Sequence, residues 1–232
     1  MTMSKAALYI LQQQTSRSRL EYRTFSSGRS LPSNAYTNVA SASDISVASR
    51  FKLNRIQHEC LDRAIRVDQA GEIAANYIYQ GQLAILGRDR AVGPVIQSMW
   101  DQEKKHLAVM NKLQVQHHVR PTVLSEVAKT AGYALGATTA ILGKEAAMAC
   151  TEAVETVIGE HYDDQLKELE CLPSDHPSIP LLRDIIREFR DDELEHLDTA
   201  VEHHSQRAPA HALLSAVVGV GCKIAINLCK RI

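Results

Sequence analysis

Two short stretches, "WDQEKKHL" and "DELEHL", each place a glutamate three residues before a histidine: Glu103–His106 and Glu193–His196. Positions three apart on a helix present their side chains to one point, which is what two ligands of a single ion require. The spacing alone is weak, because acids and histidines are frequent enough to produce it by chance. The placement says more. Glu103 shares a helical stripe with Ile96, Met99, Trp100, His106, Leu107, Met110 and Leu113, and Glu193 shares one with Leu182, Ile186, Phe189, His196 and Ala200. Such stripes face a core, where a carboxylate is costly unless it is paired, protonated or bound to metal. Glu72 lines up in the same way with Leu61, Ile65, Ala75 and Tyr79, and Glu155 with Met148, Thr151, Ile158 and Tyr162.

Spacing along the chain joins these four positions. Glu72 and Glu103 are centred on "GRDR", and Glu155 and Glu193 on "LPSDHP". Both are turn sequences, since proline and glycine stop helices. In an antiparallel helical hairpin, residues equidistant from the turn lie at one depth, so each glutamate comes level with the Glu-x-x-His of its partner helix. Stacking two such hairpins brings Glu72, Glu103, His106, Glu155, Glu193 and His196 into one layer. That is the di-metal carboxylate arrangement of a ferritin-like bundle. Hard oxygens with imidazoles, and no Cys-x-x-Cys pair, suit two iron or manganese ions rather than zinc or an iron–sulfur cluster. Two irons can supply electrons for oxygen activation, so these six residues would be catalytic through the metals. Glu103 and Glu193 are expected to bridge or chelate, Glu72 and Glu155 to bind terminally or shift between modes, and each histidine to bind one metal. Asp192 and Asp68 are candidates to orient ligands from behind. Tyr162, two turns beyond Glu155, either lines a substrate cavity or belongs to the core.

The elements that must hold this layer read as helices throughout: apolar residues recur at three and four, and no alternating strand pattern stands out. The periodicity predicts helices over 52–86, 95–118, 122–170 (with interruptions open at Gly132, Gly136 or Gly143), 179–205 and the final stretch from Pro209. The fold expected is all-α, a four-helix bundle with two additional apolar segments. Those segments, "VLSEVAKTAGYALGATTAILG" and "PAHALLSAVVGVGCKIAINLCKRI", carry charges that make them better suited to a bilayer surface or a partner than to spanning, and composition alone fits ordinary core helices equally well. With 26 basic and 27 acidic side chains, the chain offers no basic stripe for nucleic acid. Its five cysteines form no framework and read as reduced thiols. Residues 1–45 are rich in Arg and Ser and poor in acids, the composition of a mitochondrial transit peptide, with a disordered tail as the alternative, leaving 46–232 as the folded domain.

"RVDQAGEIAANYIYQGQ", "WDQEKKHL", "ACTEAVETVIGEHYDDQL", "FRDDELEHLDTAVEH" and the tail motif "GCKIAI" together resemble the mitochondrial demethoxyubiquinone hydroxylases of ubiquinone biosynthesis, from about Asn54 onward. The chain departs from that pattern at Ala74, where the family often carries glycine. The resemblance implies a di-iron monooxygenase acting on the ring of a polyprenyl demethoxyubiquinone or its quinol, in the penultimate part of the pathway. It also implies O₂ as co-substrate and NADH as the electron source, though no Gly-rich nucleotide-binding pattern is visible here. It further implies an oligomer held peripherally on the matrix side of the mitochondrial inner membrane, working with other ubiquinone-synthesis proteins, including a lipid-binding partner. An iron-storage bundle or a non-catalytic lipid-binding scaffold are the alternative readings; storage calls for a soluble cage and no apolar tail.

Overall fold

The structure, a computed structural model, describes residues 31–37, 53–176 and 178–232. Among these residues it is all-helical: α1 (Asn34–Thr37), α2 (Arg55–Leu86), α3 (Gly93–Gln116), α4 (Ser125–Ile141), α5 (Lys144–Glu168), α6 (Ile179–Glu202) and α7 (His211–Cys229). Most of the leader expected over 1–45 lies outside the described residues. Residues 33–37, inside that expected leader, pack on the bundle within one unit, Pro32–Ile232. The Ser33 amide and hydroxyl donate to Glu188 at 2.9 and 2.6 Å. The Tyr36 hydroxyl donates to Gln116, and Lys112 donates to the Tyr36 carbonyl. A four-residue turn has no periodicity to read, so only the tertiary contacts disclose it.

Local chemistry sets the ends of the long helices. Asn54 caps α2, its side chain accepting from the Gln57 amide while Gln57 reaches back to the Asn54 amide. Pro94 and Pro180 start α3 and α6, where their missing N–H costs nothing. The Asp89 carboxylate accepts from the amides of Ala91 and Val92 and so fixes the first turn. The second turn is closed by Arg183, which donates to the Leu169 and Leu172 carbonyls.

The two hairpins meet as expected. Gln69 bonds Asn111 and Asn76 bonds the Glu103 carbonyl, so α2 and α3 run antiparallel. Arg190 reaches Asp163 and Arg183 reaches Leu169, so α5 and α6 do too. Each hairpin gains a further helix lying parallel to its first one. Glu152–His211 and Glu160–Lys223 align α7 along α5. Gly132 faces Ala74 and Gly136 faces Ile78, which aligns α4 along α2.

Of the three glycines at which an interruption was open, only Gly143 breaks the chain: its φ of +121° separates α4 from α5. Gly132 and Gly136 lie inside α4 and let two backbones touch. The final helix, α7, is the one described helix long and apolar enough to cross a membrane by length and composition. In this structure it lies along α5, burying Val218 and leaving Leu213, Val217, Val220 and Ile224 exposed.

Candidate metal centre

All six residues singled out by spacing are buried, between 0 and 3 % exposed, and they converge from α2, α3, α5 and α6. Their ligand-type atoms form two overlapping groups, Glu72–Glu103–His106–Glu193 and Glu103–Glu155–Glu193–His196, with the atoms of each group within 4.8 Å of one another. Glu103 and Glu193 belong to both groups, as bridging residues must. Glu72 and Glu155 belong to one each, as does each histidine.

The side chains are oriented from behind in a matched way. Both imidazoles turn Nδ1 inward: His106 Nδ1 lies 3.3 Å from Glu193 and 3.7 Å from Glu72, and His196 Nδ1 lies 3.1 Å from Glu193 and 3.2 Å from Glu103. Both turn Nε2 outward onto an oxygen, Asp192 Oδ2 at 3.0 Å for His106 and Gln102 Oε1 at 2.7 Å for His196. An oxygen acceptor fixes the proton on Nε2 and leaves the Nδ1 lone pair free to bind a cation. Tyrosines hold the outer glutamates: Tyr162 donates to Glu72 at 2.7 Å and Tyr79 donates to Glu155 at 2.9 Å. Asn76 donates to the backbone carbonyls of Glu72 and Glu103, tying α2 to α3 at the level of the site.

Asp192 therefore sits where the sequence reading placed it, behind a histidine of the layer. Asp68 does not touch the six; it pairs with His161 at 3.2 Å and accepts from Gln165 at 2.7 Å. Tyr162 has both roles left open for it, core burial and a cavity wall. Gln102 and Tyr79 went unpredicted. The signals were present: Gln102 precedes Glu103 as Asp192 precedes Glu193, and Tyr79 follows Glu72 by two turns as Tyr162 follows Glu155.

The donor set fits divalent cations. Glu72 Oε2, both Glu103 carboxylate oxygens and His106 Nδ1 are buried and have no hydrogen-bond partner among the described residues. Buried polar atoms are rarely left so, and these four face the shared layer. Charge gives the same answer. Burial, reinforced by the neighbouring carboxylates, raises the Glu72, Glu103 and Glu155 carboxyls above their ordinary range. At Glu193 burial is outweighed by the facing imidazoles of His106 and His196, which hold it down at about 2. Burial opposes charging the two imidazoles, but the carboxylates facing them raise His106 well above its usual range and His196 to about 11. Without metal, protons do the neutralising that cations can do.

A pH dependence follows. Stability contributed by a group whose folded pKa is raised is complete below its unfolded value, near 4.5 for these carboxyls and 6.5 for the imidazoles, and is lost as pH climbs toward the folded value. Glu193 acts in the opposite sense, but its window closes below 4.5. The chelator-treated protein should therefore melt at progressively lower temperature from pH 5 to pH 9, and added Mn²⁺ should flatten that slope. Thermal denaturation monitored by circular dichroism checks both; a metal-free melting temperature that rises over this range would contradict the assignment.

One side of the layer opens into a cavity of about 490 Å³ between α2, α4, α5 and α7, whose floor includes Glu72, Glu103, Glu155 and Glu193. Its walls are mainly apolar, among them Ile78, Leu135, Val154 and Ile226, with His161 and Tyr162 close to the floor. The two apolar segments thus build the approach to the site.

Residues 59–229 match the family model described as "Ubiquinone biosynthesis protein COQ7". A Mus musculus protein named "NADPH-dependent 3-demethoxyubiquinone 3-hydroxylase, mitochondrial" is 51 % identical over 184 residues, covering 79 % of this chain and 83 % of that protein. A Saccharomyces cerevisiae "5-demethoxyubiquinone hydroxylase, mitochondrial" is 44 % identical over 190 residues, covering 78 % and 82 %. A Rhodospirillum rubrum "3-demethoxyubiquinol 3-hydroxylase" is 45 % identical over 172 residues, covering 74 % and 78 %.

Proposed function

The chain belongs to the COQ7 family of ubiquinone biosynthesis proteins, and from that premise we propose that it is a mitochondrial hydroxylase that places a hydroxyl on the ring of a demethoxyubiquinone or its quinol. The observation that carries this reading is a buried four-glutamate, two-histidine layer forming the floor of an apolar cavity. A polyprenyl tail needs the apolar walls; an oxygen-activating centre needs the floor.

Glu72, Glu103, His106 and Glu193 would hold one iron, and Glu103, Glu155, Glu193 and His196 the other. When bound, the pair supplies the redox chemistry by which O₂ is activated. The protein's share is positional. Tyr162 and Tyr79 keep Glu72 and Glu155 from swinging away. Asp192 and Gln102 set the tautomers, and the apolar walls keep water from the reacting ring. Tyr162 and His161, on the wall beside the floor, are placed to meet a quinone head group. The electron source is a reduced nicotinamide: NADPH is named for the mouse relative, and NADH is what the family resemblance implies.

The direct test supplies the iron-loaded protein with demethoxyubiquinone, O₂ and NADPH or NADH, and follows the quinone by mass spectrometry. Gain of one oxygen on the ring supports the reading. Iron oxidation with the quinone unchanged would favour an iron-binding bundle instead.

The proposed location is peripheral, on the matrix side of the inner membrane, alongside other ubiquinone-synthesis proteins, including a lipid-binding one. Exposed Leu213, Val217, Val220 and Ile224 on α7 give an apolar face suited to a bilayer surface. Changing all four to serine should weaken binding to liposomes at least about tenfold, with the melting temperature held within a few degrees because these side chains are more than half exposed. A co-sedimentation assay reads this, and unchanged binding would remove α7 as the contact.

A further inference from the structure

The two hairpins repeat each other closely, and the repeat breaks at an informative place. Glu72 corresponds to Glu155, Tyr79 to Tyr162 and Gln82 to Gln165; Met99 corresponds to Phe189, and the Glu103–His106 pair to Glu193–His196. The bonds correspond as well. Each tyrosine donates to the other hairpin's glutamate. Gln82 donates to Thr151 at 3.2 Å, and Gln165 donates to Asp68, the counterpart of Thr151, at 2.7 Å. Each residue preceding a Glu-x-x-His accepts from the other hairpin's histidine. In one hairpin that residue is the neutral amide Gln102; in the other it is the carboxylate Asp192.

Both acceptors fix the same tautomer, but they differ in charge. A carboxylate behind an imidazole makes the opposite nitrogen a stronger donor and adds a negative charge near the cation; an amide oxygen does the first weakly and the second not at all. Rigidity differs in the same direction. Phe189 stacks on His106 with ring centroids 3.9 Å apart and planes 26° apart. Its counterpart Met99 offers no ring, and His196 meets Tyr79 edge-on at 6.1 Å. The break at Asp68 matters less, because that carboxylate is taken up by His161 at 3.2 Å and Gln165 at 2.7 Å and touches none of the six.

We propose that the two cation positions are unequal: the one made by Glu72, Glu103, His106 and Glu193 fills first and binds more tightly, and Asp192 and Gln102 are the positioning residues that set the order. This rests on the di-metal reading of the site. A protein given one equivalent of cation then holds it mainly beside His106, and the second position completes the pair at higher concentration.

The test titrates chelator-treated full-length protein with Co²⁺, following the ligand-field spectrum and the heat of binding. Two steps are expected, separated roughly 10- to 100-fold in affinity. The spectrum at one equivalent should match that of His196→Ala, which keeps the first position, and not that of His106→Ala. Asp192→Asn should weaken the first step and draw the two together, whereas Gln102→Glu should tighten the second. A merely structural role for either residue would change the metal-free melting temperature and leave the step separation unmoved. Two ions binding with equal affinity in the unaltered protein, or steps that stay apart in Asp192→Asn, would overturn the ordering and leave the di-metal reading standing. Saturation at fewer than two ions would overturn both.

Discussion

Replacing Glu193 by alanine is expected to empty both cation positions and lower quinone hydroxylation at least about 100-fold, while the helical circular dichroism signal persists. Glu193 and Glu103 are the two residues common to both ligand groups, so a single change at Glu193 takes a donor from each position. Glu193 also faces both imidazoles, at 3.3 Å and 3.1 Å, and Glu72 or Glu155 could replace it only by leaving Tyr162 or Tyr79. The helices should survive, because Leu182, Ile185 and Ile186 anchor α6 in the core independently of the layer. Glu193→Gln separates charge from shape: it keeps the volume, removes the anion, and should also lose metal. Metal content measured after dialysis, beside the hydroxylated product, decides the matter. Full metal stoichiometry in Glu193→Ala would remove the assignment of this residue.

The second large effect lies away from the chemistry. Gly136→Ala should destabilise the fold by about 3 kcal/mol and lower the melting temperature by roughly 5–10 °C. A Cβ at Gly136 would sit 2.0 Å from the Ile78 carbonyl oxygen and 2.8 Å from its carbon, and both are backbone atoms of a neighbouring helix that cannot rotate aside. Gly81, on the facing helix, is nearly as tight, with a Cβ falling 2.3 Å from the Tyr133 carbonyl oxygen. Gly221 in α7 has nothing within 4 Å of a built Cβ, so Gly221→Ala should be neutral or slightly stabilising through better helix propensity. Comparable melting temperatures for the two variants would show that the α2–α4 crossing is looser than these distances require. Because α4 forms a wall of the cavity, forcing it away from α2 should also weaken quinone binding, seen as a higher KM.

Wild-type activity thus depends on two kinds of precision, and they differ in how far the chain announces them. The six inward side chains were legible because helical periodicity assigns a face to every residue, and because equal spacing about two turns fixes depth. Glu72 with Glu103, and Glu155 with Glu193, need only those two rules to be brought level. The all-helical class, the hairpin turns and the apolar character of 122–142 and 209–232 follow from the same local physics.

Tertiary structure alone decided the rest, since each remaining feature is a relation between residues that no local rule connects. Spacing makes Asp192 and Asp68 look alike as acids beside the layer; only the packing of α6 across α3 gives Asp192 to His106, while Gln165 and His161 draw Asp68 away. Gln102 became significant only when the other hairpin's histidine arrived at 2.7 Å. Glycines at 132 and 136 left an interruption open in sequence, yet they are the positions where two helix backbones touch. The sequence by itself determined which side chains face inward and at what depth, because both follow from the pitch of a helix. Which neighbour each inward side chain meets depends on how separate helices cross, and that is settled by packing over the whole bundle.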